Sequence, residues 1–474
     1  MNILTHARPR RGRRGWSALA SPATLALAIV AGAGYADEFH GDPMTTPDSS
    51  GWLRTYTASG TIDTGNPFFQ SLGTNGRSCN TCHQQQDGWT VTAADVQARF
   101  NATGGTDPIF RTNDGSNSPL ADVSTVAKRR LAYSMLLNRG VIRVGIGIPA
   151  GAEFTLDAVD DPYGYASAAE LSLFRRPLPA TNLDFLTGVM WDGRETAAPF
   201  LPPMDAGTDN ADLFASLKHQ AIDATLGHAQ AAAPPSDAQA AQIVDFEMGL
   251  STAQIRDNRA GLLNDDDALG GPRILANLRF YVGINDTLGA DPTGAAFDPN
   301  AMTLFDAWAD GHGAHAHDRA AIARGAQLFN TRPISISGVG GLNDVLGQAV
   351  IQGTCTTCHS SPNVGNHSVA LPLNLGTADA SRRTPDMPLY TLRNIATGAT
   401  VQTTDPGLAL LSGKWADIGK FKGPVLRGVA ARAPYFHNGS AASLEDVVDF
   451  YDTRFTIGLS TREKRDLVAF MRAL

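Results

Sequence analysis

Apolar residues recur at helical spacing only in short stretches, separated by long irregular ones. Leu444, Val447, Val448 and Tyr451 fall at i, i+3, i+4 and i+7 behind Ser443, which can cap a helix and sets Tyr451 on its inward face. Leu467, Met471 and Leu474 repeat at i, i+4 and i+7 after a capping box formed by Ser460 and Glu463. Ile322 and Phe329 share one face of a helix that Asp318 is placed to cap. Thr92 can cap a further helix reaching Phe100, with Asp95 in its first turn, and Leu213 to Gln230 reads as helical throughout. Leu201 to Asn210, Ala231 to Ser236 and Gly289 to Asn300 are rich in Gly, Pro and Asp and read as loops. The pattern predicts a mainly α fold with long irregular connections.

The amino terminus departs from this pattern. Arg8, Arg10, Arg11, Arg13 and Arg14 precede an apolar run from Ala18 to Ala33 that is too short and alanine-rich for a secure membrane span. With Gly34 and Ala36 after it, residues 1–36 read as a signal peptide cut before Asp37, an uncleaved anchor being the alternative. The remaining chain carries 33 basic and 46 acidic residues, a net charge near −13. That leaves no electrostatic footprint for nucleic acid, and suits either a basic protein partner or simple solubility. Nothing later resembles a membrane span, and the length suffices for two or three domains.

Chemistry enters with the four cysteines, all of which lie in Cys-x-x-Cys-His motifs: Cys79, Cys82, His83 and Cys355, Cys358, His359. Two thiols at this spacing can add to the vinyl groups of one porphyrin while the next His ligates its iron, so each motif predicts a covalently attached haem c. A zinc ribbon would hold its pairs about 15–20 residues apart, whereas these lie in opposite halves of the chain. The expected organisation is an amino-terminal haem domain over 37–265, a connecting segment over 266–317 and a second haem domain over 318–474, both cytochrome c-like and helical. His312, His315 and His317 read as part of a flexible linker, with a metal site as the weaker alternative.

The stretch Phe421 to Tyr451, FKGPVLRGVAARAPYFHNGSAASLEDVVDFY, resembles the bacterial diheme cytochrome c peroxidase family, which includes MauG. Trp191-Asp192-Gly193-Arg194 matches a second family signature. The resemblance is strong over 320–474 and confined to motifs over 66–260. It implies two haem domains facing one another, the first handling peroxide and the second relaying electrons, with Trp191 as the relay between them. Ordinary members place a Met fourteen residues after the His of Pro-Tyr-Phe-His. Counted from His437, this chain has Tyr451, as MauG-like members do, which implies Tyr451 as a ligand to the second iron together with His359. Residues 84–150 contain no His, so the resemblance implies an open iron at His83. Met135 is the alternative ligand and reads as core.

Family members place a Gln and a Glu about ten and twenty residues beyond the Trp, where this chain has Leu201 and Ala211; Gln220 and His228 are the substitute candidates for moving the peroxide proton. Arg393, Lys422, Arg427 and His437 are candidates for the haem propionates. Arg432 and Pro434 match carbonyl positions of the family's calcium site, but Leu131 stands for its Asn, which leaves calcium open. The function implied is a periplasmic diheme oxidoreductase that takes hydrogen peroxide and electrons from a small donor protein, a cytochrome c or cupredoxin. The alternatives are a MauG-like oxidase of a protein or organic substrate and a non-catalytic electron carrier.

Overall fold

The computed structural model describes Phe39 and residues 41–196, 211–311 and 313–474. The signal segment, the Leu201–Asn210 loop and His312 lie outside the described residues.

Local capping chemistry sets most helix starts. Thr92 accepts the Asp95 N–H at 3.1 Å and opens the Ala93–Thr103 helix, which Gly104 ends in the left-handed conformation. Ser443 and Asp446 form the capping box of Leu444–Phe455, and Ser460 and Glu463 that of Thr461–Arg472. Helices Ala211–Gly227 and Asp237–Met248 come next, the second capped by Ser236 and Gln239. The helix expected to start at Asp318 instead spans Ala316–Thr331, with His315 at its N-cap. Asp318 sits in its first turn, where a carboxylate is favoured by the exposed N–H groups.

The mainly α expectation holds only in part, because the described residues also form four small antiparallel sheets. One orders Thr45–Pro47, Gly51–Tyr56, Ser251–Asp257 and Gly261–Leu262. Another pairs Phe154–Asp160 with Leu389–Asn394, joining strands from the two halves of the chain. The Ser251–Asp257 strand escapes a hydrophobic pattern because polar positions within it are buried: Thr252 and Gln254 are fully enclosed. Period-2 alternation of apolar and polar residues, the usual strand signal, is therefore absent there.

One apolar cluster packs Ile322, Phe329, Leu467, Phe470 and Met471 where the Ala316–Thr331 and Thr461–Arg472 helices meet. A second gathers Phe68, Trp89, Leu217, Ile243 and Val244 around the first Cys-x-x-Cys-His motif. Met135 is buried against Val141, Phe174 and Met387 and is a core residue. Among the described residues no helix is long and apolar enough to cross a membrane.

Candidate functional site

Both motifs adopt the same local structure. Cys79–Thr81 and Cys355–Thr357 are single 3-10 turns, closed when Thr81 Oγ1 accepts the Ser78 N–H and Thr357 Oγ1 the Thr354 N–H, each at 3.0 Å. All four cysteines are free thiols, so neither pair is a disulfide. His83 Nδ1 lies 3.1 Å from the Trp89 carbonyl and His359 Nδ1 2.6 Å from that of Gly365. A carbonyl can only accept, so Nδ1 carries the proton in both rings and Nε2 is left for a metal. Burial pushes His83 down to about 4 and lowers His359 as well, keeping both imidazoles neutral as ligation requires.

The two acceptor carbonyls are aimed by unusual backbone. Gly88 and Trp89 both take positive φ, and the Trp89 indole N–H is pinned to Thr55 Oγ1 at 2.9 Å. Gly365 has φ +83°, and a Cβ there would lie 2.7 Å from Met302 Cε. Only glycine fits that position.

A cavity of about 1340 Å³, counted to its open mouth, lies over the first motif. Cys79, Cys82 and His83 line it with Trp191, Arg194, Gln220, His228 and Glu247. Residues 217, 220, 221, 224, 225 and 228 all face it, the i, i+3, i+4, i+7 stripe of one helix side. The structure thus brings both distal candidates, Gln220 and His228, to the first motif. Mostly apolar walls, two thiols at one edge and a neutral imidazole with a free Nε2 fit a covalently held haem.

Glu247 was not anticipated. It lies on the buried face of its helix with Ile243 and Val244, and burial raises it to about 8. A carboxylate at i+4 on an apolar stripe is the sequence signal that marks it. Glu247 keeps a proton in the folded chain that the unfolded chain sheds near ~4.3, so its contribution to stability falls as pH rises from there to about 8. Glu247→Gln should flatten this slope, the variant's melting temperature falling less than the wild type's across that range.

Around the second motif, Tyr451 is half-buried beside Cys355 and Cys358, with its ring 6.4 Å from that of Phe455. Burial pushes its phenol well above the ordinary range, helped by the two sulfurs. Of the propionate candidates, Arg393 is exposed and paired with Asp157 at 2.7 Å, which removes it. Arg427 is fully buried and spends its guanidinium on the carbonyls of Leu474, Asn363 and Gly271. Lys422 and His437 remain: burial brings Lys422 down to about 8, and His437 Nε2 is buried without a hydrogen-bond partner. His367 Nε2, in the loop after His359, is orphaned in the same way. The two buried imidazole nitrogens and the enclosed Lys422 fit a group with carboxylates of its own, with an Asp405 oxygen 3.9 Å from His437 Nε2.

Trp191 lines the first cavity and donates from Nε1 to the Arg176 carbonyl at 2.8 Å. Its ring centre lies 6.3 Å from that of His437, which stacks on Phe421 at 4.0 Å. Beside it, Asp192 is buried against Arg175 at 2.5 Å, and Arg175 grips Asp405 with two bonds of 2.7 and 2.8 Å. Burial pushes the Asp192 carboxyl up, but Arg175 and Arg194 hold it below the usual range. Leu131, the calcium mismatch, is an exposed residue. Among the described residues His315 and His317 join no group of metal-type ligands; Glu195, His219 and Asp223 form the one such group, mostly exposed.

Comparison with known proteins agrees with the motifs. A family model described as RoxA-like, cytochrome c-like matches residues 420–457, the segment that carries His437 and Tyr451. The chain is 35% identical over 137 residues to cytochrome-c peroxidase IdrP2 of Denitromonas iodatirespirans, covering 26% of this chain and 36% of that protein. It is 33% identical over 150 residues to cytochrome-c peroxidase IdrP1 of Pseudomonas sp. (strain SCT), covering 27% and 38%. The matched part thus spans little more than a third of these relatives' length. A solved MauG-like protein associated with microbial copper homeostasis aligns over 87% of this chain and 88% of its own, at 16% identity and a TM-score of 0.35.

Proposed function

We infer from this similarity to cytochrome-c peroxidases that the protein is a member of the diheme cytochrome c peroxidase and MauG family, an exported, periplasmic diheme oxidoreductase reducing hydrogen peroxide at its first motif. Electrons reach that site through the second motif from a small donor protein, a cytochrome c or cupredoxin. Cys79, Cys82 and His83 would hold one haem c, and Cys355, Cys358 and His359, with Tyr451, the other. Each haem would supply an iron that exchanges single electrons, the one at His83 being the site that takes peroxide.

The chain's own residues do the rest. His228 takes the proton from one peroxide oxygen and returns it to the other, and Gln220 on the same helix face orients the substrate by hydrogen bonding. Trp191 offers a polarisable, oxidisable ring at the cavity wall. From it a continuous path of contacts runs through His437 and Phe421 to Leu373, which is bonded to Phe421 backbone to backbone and shares an apolar cluster with Cys355 and Cys358. The observation that carries the reading is the convergence of Trp191, Gln220 and His228 on the first motif from distant parts of the sequence.

Peroxide-dependent oxidation of reduced cytochrome c by the holoprotein tests it. Wild type should oxidise the donor in proportion to peroxide added, and Trp191→Phe should still consume peroxide while losing donor oxidation. Equal donor oxidation by both would remove Trp191 from the path. A second reading, a MauG-like oxidase of a protein or organic substrate, is favoured by Tyr451, because a phenolate ligand stabilises oxidised iron where a thioether favours reduced. Peroxide consumption without cytochrome oxidation in the wild type would favour it.

A further inference from the structure

The sequence nominates His228 but nothing that would orient it. In the fold its ring meets Asp114, a buried residue of the turns that follow the Ala93–Thr103 helix. His228 Nδ1 lies 2.5 Å from one Asp114 oxygen, and Arg77 donates to the other at 2.5 Å. Asp114 is held ionised: burial pushes it up, but its bonds to His228 and Arg77 bring it below the usual carboxylate range. An ionised carboxylate only accepts, so Nδ1 carries the proton and Nε2 is the ring's free acceptor.

The backbone is fixed as firmly. The His228 carbonyl accepts from Asn75 at 2.8 Å and from Arg77 at 3.2 Å, both in the segment that runs directly into Cys79. Arg77 is further anchored on the carbonyls of Pro108 and Ile109 at 2.9 and 2.6 Å. His228 is thereby registered, side chain and main chain, against the motif whose cavity it lines. The charged and titratable groups around its ring are Asp114, Arg77 and His83, with Glu247, Arg175, Arg176, Arg194 and the thiols of Cys79 and Cys82 elsewhere on the cavity wall.

We propose that Asp114, clamped by Arg77, is the positioning residue for His228, fixing the tautomer in which Nε2 accepts the peroxide proton. This rests on the reading of His228 as the proton-transfer group. The pair does what a carboxylate does for a catalytic imidazole elsewhere: it selects one ring nitrogen as the base and stabilises the ring once it is protonated.

The test uses the holoprotein as wild type, Asp114→Asn and His228→Ala. Two quantities are read: the second-order rate of reaction with hydrogen peroxide, and the pH dependence of His228 carbethoxylation by diethyl pyrocarbonate, followed by mass spectrometry of its peptide. Asp114→Asn should slow the peroxide reaction by about 10–100-fold and lower the midpoint of His228 modification. Added to His228→Ala it should slow nothing further, because the two act as one unit. Should Asp114→Asn fail to take up haem, Asp114→Ser removes the same carboxylate and is scored the same way. An unmoved midpoint overturns the proposal, as does an unchanged peroxide rate in Asp114→Asn when His228→Ala is slow. If His228→Ala reacts like wild type, the proton-transfer reading itself fails, and the modification midpoint still shows whether Asp114 orients the ring.

Discussion

Arg175→Met should cost about 3–5 kcal/mol of stability, read as a lowered urea midpoint at unchanged m-value. Arg175, Asp192 and Asp405 each have side chains only 2% exposed, so the guanidinium is the cation that balances two enclosed carboxylates. Methionine fills similar space but leaves the two acids only the Arg194 contact to Asp192 at 3.1 Å and His437, 3.9 Å from Asp405. The carboxylates must then take up protons or drag in water, and either is expensive at this depth. Asp192 is held below its ordinary value, so its share of stability is present above the unfolded carboxylate pKa, ~3.9, and is lost as pH falls further. Arg175→Met should therefore lose most at neutral pH and approach wild type in acid. Replacing all three by neutral residues of similar size should recover much of the loss, since an apolar substitute for a whole buried network is often neutral. The network also fixes the loop bearing Trp191, whose carbonyl accepts the Lys422 N–H at 2.8 Å.

His228→Ala should slow the reaction with hydrogen peroxide by about 10²–10⁴-fold, the usual worth of a positioned acid–base group. The loss should appear in the peroxide step and leave the rate of electron entry from a reduced donor unchanged, because His228 lies at the first motif. Haem content should also be retained, since the helix stripe at 217, 220, 221 and 224 and the thiols at 79 and 82 keep the cavity walls intact. Gln220 serves as the internal control. A Gln can orient peroxide but cannot exchange a proton at neutral pH, so Gln220→Ala should be slowed less and should keep the wild-type pH profile. Wild-type reactivity in His228→Ala would remove it from the chemistry.

The parts of this molecule legible in the sequence were those governed by short-range rules. Capping boxes at Ser443 and Ser460 placed two helices, and the spacing of Leu444, Val447, Val448 and Tyr451 gave the register that sets Tyr451 beside the second pair of cysteines. Asp318 misled by three residues because a carboxylate is equally at home in a first turn and at a cap. The Ser251–Asp257 strand was hidden because it buries hydroxyl and amide groups that find partners only across the fold: Thr252 meets Thr55 at 3.1 Å and Thr181 at 2.9 Å. The same limit governs the site. His228 and Gln220 could be nominated from their place on one helix, but Asp114 and Arg77 belong to it through contacts more than a hundred residues away in sequence. Arg393 seemed equal to Lys422 as a buried cation, and only tertiary packing separates them: one lies on an outer strand paired with Asp157, the other is enclosed without a carboxylate.

The central claim is that two chemically identical motifs serve unequal roles, one open to peroxide at His83 and one closed by Tyr451 at His359. Electron paramagnetic resonance of the ferric holoprotein, recorded before and after one equivalent of hydrogen peroxide, tests this most directly. The account predicts a high-spin signal from the first motif that peroxide abolishes, together with a low-spin signal from the second whose position shifts in Tyr451→Phe. Two low-spin signals, both unchanged by peroxide, would contradict it and identify the protein as an electron carrier.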